Sequence, residues 1–197
     1  MTGSTRLFVL NNPRIMTNRL FILIPALLIA QLTCRSQSDS TIMPVDESTH
    51  LITYREVVQE PGTPQELFNR AVLWINSYYN NPSDVTKVRD PQTGEIKGIH
   101  RFRIENKDEK TGLVTDAGTI QYAFTIEFKE GRYRYTLTEF VLKQTSRIPI
   151  EKWMNKKDQQ YTPQWDDYLR QVDAFARSWG ASLKKGMKPE IKKTDDW

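Results

Sequence analysis

The chain is poor in the residues on which most enzymatic chemistry relies. It has one cysteine and two histidines in 197 residues. A zinc or thiolate site needs several such ligands at set spacings, and His50 and His100 have no cysteine, third histidine or correctly spaced carboxylate beside them. They read as a solvated histidine and a core-edge histidine, so no metal ligand is assigned. A nucleophile elbow and a glycine-rich phosphate loop are also missing, which leaves hydrolase and kinase readings without support and gives no catalytic residue and no cofactor. Long apolar runs are scarce too. The run Leu20–Ala30 spans eleven uncharged residues, short of the roughly 20 that a membrane span requires.

That run is preceded by Arg14 and Arg19 and followed by small and polar residues. This is the order of a secretory signal, so residues 1–36 are expected to be an export leader, with Met16 as an alternative start. The only cysteine, Cys34, stands at the end of the leader. An exported domain then has no internal disulfide. Two fates for Cys34 stay open: lipid attachment, which would anchor the domain to a bacterial membrane, or removal by cleavage after Ser36. Gln31 and Thr33 fit the lipoprotein pattern poorly.

A basic isoelectric point of about 9.1 invites a nucleic-acid reading. Residues 1–36 hold four arginines and no acid, which leaves 24 of the 28 Lys and Arg against 24 Asp and Glu. The remainder is formally neutral and lacks the field that drives non-specific phosphate binding, so no nucleic-acid partner is expected.

Residues 37–50 are polar and aperiodic and read as a flexible stalk. Ile52–Val58 is rich in β-formers and is followed by Pro61-Gly62. Thr63-Pro64-Gln65-Glu66 is a capping box with proline at the first helical position, and Leu67, Ala71, Trp74, Ile75 and Tyr78 then form one apolar stripe. Val85–Val88 and Glu95–Glu105 read as strands. Ile120–Phe128 alternates strictly, and after Lys129-Glu130-Gly131 the chain returns as Arg132–Leu137, a hairpin pattern. Pairing Phe128 with Tyr133 also sets Ile126 against Tyr135, Phe124 against Leu137 and Glu127 against Arg134. The parity slips after Thr138, which predicts a bulge near Glu139. Ser146–Gln160 reads as a charged loop, with Trp153 and Met154 either exposed as a partner-binding knob or tucked against the sheet. A second amphipathic helix opens at Thr162-Pro163 and ends at Gly186, and residues 187–197 read as a disordered tail.

The expected fold is therefore α+β, a curved antiparallel sheet in the order β-α-β-β-β-β-α, with both helices on one face and the other face open, all in a single domain over 51–186. The segments Tyr54–Val58, Leu67-Phe68, Ala71, Trp74, Gly94–Gly98, Phe124–Ile126 and Gly131–Tyr135 resemble domain of unknown function 4468. That family comprises exported bacterial proteins with a TATA-binding-protein-like fold. The resemblance implies a fold and a periplasmic or outer-membrane-anchored location, and it carries no activity. A fold name alone does not transfer DNA binding.

Arg101, Arg103, Arg132 and Arg134 share the polar parity of strands expected in one sheet. Clustered, they would clamp a carboxylate or phosphate; dispersed, they would form cross-strand ion pairs with Glu105, Glu127 and Glu130. The functional expectation is a non-catalytic binding module of the cell envelope that uses the open face or the Ser146–Gln160 loop. The alternative is a periplasmic enzyme acting on a carbohydrate or peptide through carboxylates and arginines of that face.

Overall fold

A computed structural model describes residues 43–189. Residues 1–36, expected to be a leader and including Cys34, residues 37–42 of the expected stalk and residues 190–197 of the expected tail lie outside them. The elements are β1 (Tyr54–Gln59), α1 (Pro64–Tyr78), a single-turn α2 (Pro82–Val85), β2 (Thr86–Asp90), β3 (Glu95–Lys107), β4 (Val114–Lys129), β5 (Arg132–Lys143), β6 (Arg147–Pro149), a 3-10 turn (Ile150–Met154) and α3 (Pro163–Gly186). The fold is mixed α+β. One antiparallel sheet runs β1-β5-β4-β3-β2, with β6 added to β5 beyond the end of β1.

The hairpin forms in the expected register, with Phe128 opposite Tyr133, Phe124 opposite Leu137 and Glu127 opposite Arg134. Gly131 takes the positive φ of 68° that the tight turn requires. Register slips between Gln121 and Ala123, and Glu139 on β5 adopts a φ of 56°. This is the expected bulge, and it restores Phe140 and Leu142 to the buried side.

Alternation sends Ile120, Tyr122, Phe124, Ile126 and Phe128 to one side of β4, where all are buried. Both long helices cover that side. In α1, Thr63 Oγ1 accepts from the Glu66 N–H at 3.3 Å while Glu66 accepts from the Thr63 N–H at 2.8 Å. The buried stripe of α1 is Leu67, Phe68, Ala71, Trp74 and Ile75; that of α3 is Leu169, Val172, Ala176, Trp179, Gly180 and Leu183. Trp74 and Trp179 meet edge to face at 5.1 Å between the helices. The Trp179 indole N–H donates to Tyr79 Oη at 2.7 Å, and that oxygen lies 3.3 Å from Tyr122 Oη. Burying these polar tips costs little because each has a partner.

The ordered domain is longer than 51–186 at both ends. Met43 is buried and Val45 bridges Ile52, so residues 43–50 pack on the domain where a flexible stalk was expected. Met187 is buried and the Lys188 ammonium reaches Glu60 at 2.8 Å, so the tail is docked through these two residues. The Ser146–Gln160 loop is also built: β6 pairs with β5, and Trp153, 3% exposed, lies 5.4 Å from the Tyr168 ring. Trp153 is thus tucked in and is not a knob.

Gly98 lies where Phe124 crosses β3. A Cβ there would overlap the Phe124 ring and sit 2.8 Å from the Val85 carbonyl oxygen. Gly98→Ala should cost about 1–3 kcal/mol in urea unfolding, whereas Gly112→Ala, with nothing within 4 Å, should show only the smaller strain of a positive φ. Burial also holds the Tyr79 and Tyr122 hydroxyls above the ordinary value of 10.0. Neutral phenols in the fold become phenolates in the unfolded chain, so their contribution is complete below pH ~10 and is lost as pH rises. Phenolate absorbance from the buried tyrosines should therefore appear together with loss of near-UV dichroism in one alkaline step.

Candidate functional site

The opposite side of the sheet is covered by no described element. Its composition follows from the register, since residues paired across strands share a face. The middle row is short and uncharged: Ile99, Ala123 and Thr138. Towards one end the next rows are Arg101, Gln121, Val141 and Pro149, then Arg103, Thr119, Lys143 and Arg147. Towards the other end come Lys97, Thr125, Thr136 and Arg55, then Glu95, Glu127, Arg134 and Val57, then Lys129, Arg132 and Gln59.

The four arginines singled out from the sequence therefore share a face but not a place on it. Gln121 and Glu127, the β4 partners of Arg101 and Arg134, are six residues apart, about 20 Å of extended strand at ~3.4 Å per residue. No single clamp contains all four. Arg134 is engaged by a bidentate bridge to Glu127, with Nε and Nη2 donating at 2.7 Å each. That contact holds the Glu127 carboxyl below its usual range and raises Arg134. Arg132 lies in a shallow depression with Val57, Glu127, Lys129, Tyr133 and Arg134.

The Arg101–Arg103 end differs. Arg103 makes only a long contact to Asp116, 3.8 Å, with both side chains largely exposed. Arg101, Lys143 and Arg147 form no salt bridge with any described residue. Adjacent strands are ~4.8 Å apart, so these four cations lie within about 15 Å of one another. Lys143 and Arg147 escaped the sequence reading, although the signal existed. The bulge at Glu139 resets the parity of β5, which puts Lys143 on the face of Arg134.

Two concavities lie off this face. A cleft of about 1020 Å³ is lined by residues 44–48, Tyr54, Glu56, Tyr135, Arg177 and Lys184, among others. Its Glu56 carboxylate accepts from the Tyr135 hydroxyl at 2.6 Å and from Lys184 Nζ at 3.0 Å, which lowers its pKa in that order of effect. Asp46 is lowered by the Ser48 hydroxyl and the Thr49 N–H in its own turn. Both acids are stabilised as carboxylates, and a general-acid pair needs one of them held protonated. The second cleft, about 410 Å³, lies between the end of α1 and α3 and is lined by Tyr78, Tyr79, Asn80, Asn81, Asp84, Val85, His100, Arg101, Phe102 and Phe175. His100 Nδ1 is buried there without a partner. Burial, then the Arg101 charge, lowers the His100 pKa and favours neutral imidazole. Among the described residues no group of histidine, cysteine and carboxylate side chains could hold a metal ion, and no helix is long and apolar enough to cross a membrane.

No curated protein matches this chain. Two solved structures are similar in fold. A TBP-like protein from Parabacteroides distasonis shares 14% identity over 74% of this chain and 96% of its own, with a TM-score of 0.59. A DUF4468 family protein from Bacteroides ovatus shares 16% identity over 76% of this chain and 93% of its own, with a TM-score of 0.59. The family model for the domain of unknown function DUF4468 with TBP-like fold matches residues 54–143, the segment from the start of β1 to the end of β5. Over that segment the chain is similar to the DUF4468 family.

Proposed function

We propose that the protein is an exported, non-catalytic binding module of the bacterial cell envelope, and that the uncovered sheet face is its binding surface. The observation that carries this reading is the cation group Arg101, Arg103, Lys143 and Arg147, set beside the flat row Ile99, Ala123 and Thr138. Guanidinium and ammonium groups without strong internal partners need not break a salt bridge to meet an anion, so a ligand carrying carboxylates or phosphates recovers the full charge-assisted hydrogen bonds. Export is supported by the signal-like order of residues 14–36.

Two measurements test the proposal. Mass spectrometry of the protein recovered from fractionated bacteria should find a chain starting at a lipid-modified Cys34 or close to Gln37. A cytoplasmic chain that keeps residues 1–36 would contradict export. A photo-crosslinking residue at Ala123 in intact cells should give a discrete adduct that is reduced at least about tenfold by joint reversal of Arg101, Arg103, Lys143 and Arg147 to Glu. An adduct insensitive to that reversal would contradict the assignment of the face.

A further inference from the structure

The sheet has an unpaired edge whose limits are set by specific contacts. β2 pairs with β3 only from Glu95 to Gly98. At the far end the Gln171 side chain of α3 replaces a neighbouring strand: its Oε1 accepts from the Glu105 N–H at 2.9 Å, and its Nε2 donates to the Glu105 carbonyl at 2.8 Å. Glu105 therefore turns its backbone outward from the sheet. In an antiparallel strand the outward residues alternate, so Arg103, Arg101 and Ile99 do the same. β2 pairs with β3 as far as Gly98, opposite Thr86, with the Val85 carbonyl close to that point; beyond it no described strand pairs with the outward N–H and C=O groups of Arg101 and Arg103. Between β2 and Gln171 lies a gap one short strand long, with the aromatic cleft of Phe102 and Phe175 on its helix side.

We infer that the β3 edge from Ile99 to Arg103 takes up an extended peptide with an acidic–apolar–acidic pattern, which adds to the sheet as a further strand. Main-chain hydrogen bonds to the outward groups supply the register, and side chains alternate between two environments. Residues opposite Arg101 and Arg103 fall on the open face, where carboxylates meet the two guanidinium groups. The residue between them, opposite Phe102, points to the helix side. There the cleft is walled by Phe102 and Phe175, whose rings stack at 3.8 Å, and it admits an apolar or aromatic side chain. The same charges disfavour a second copy of this chain. Antiparallel pairing of two β3 edges would set arginine against arginine, and like charges directly opposite destabilise a sheet.

This inference stands on the β3 edge and not on the location of the protein, so its test does not depend on export. The probe is a short synthetic peptide with Glu-Phe-Glu at its centre, flanked by Thr and Val, added to the full chain. Amide exchange at Arg101 and Arg103 should slow on binding. A Lys-Phe-Lys peptide should bind at least about tenfold more weakly, and Arg101→Glu with Arg103→Glu should reverse that preference. Of two peptides N-methylated at odd or at even positions, one should lose binding and the other keep it. Equal binding of acidic and basic peptides, tolerance of both methylation patterns, or no slowed amide at these residues would overturn the inference. Exchange that is already slow without peptide and varies with protein concentration would overturn it in favour of self-association.

Discussion

The rest of the structure depends on the parity of β4 in its pairing with β5. Because side chains alternate with period two, a slip of one residue would send Ile120, Tyr122, Phe124, Ile126 and Phe128 into water and bring Thr119, Gln121, Ala123, Thr125 and Glu127 beneath the helices. The register is held from both faces: Phe124 meets Leu137 and Phe128 meets Tyr133 on the buried side, while Glu127 bridges Arg134 on the exposed side. α1 and α3 can seat their tryptophans only on the apolar side so defined.

That single choice fixes what remains available for binding. Once two helices seal one face, the other presents whatever the alternate positions carry, here a band of uncharged residues with cations towards both ends. The domain is near neutral as a whole, and its charges are arranged unevenly. Acidic groups such as Glu56 and Glu60 serve the helix side, where they tie β1 to Lys184 and Lys188 near the end of α3. The arginines and lysines of the open face are thereby left with few internal partners at the Arg101 end.

Much of this was legible in the sequence because it rests on local rules. The capping box at Thr63, the hairpin at Gly131, the bulge at Glu139 and the two amphipathic stripes are each written in a few neighbouring residues. The parts that were not legible depend on where strands sit along one another. Parity showed that Arg101, Arg103, Arg132 and Arg134 share a face, but their separation depends on the β3–β4 and β4–β5 registers taken together. Met43 and Met187 looked like parts of a stalk and a tail because a lone apolar residue in a polar segment gives no periodicity; what orders them is tertiary burial. Gln171 could not be read as an edge cap, since its partner Glu105 is remote in the chain.

The claim on which the account turns is that one face of the sheet is sealed while the other stays open in the complete protein. Single cysteines placed along β4 in a Cys34→Ser background, from position 119 to position 126, report this directly through their rates of alkylation. With one face sealed and the other open, labelling should be fast at 119, 121, 123 and 125 and slow at 120, 122, 124 and 126. Uniformly slow labelling of both series in the full chain would contradict this claim, because the face would then already be covered.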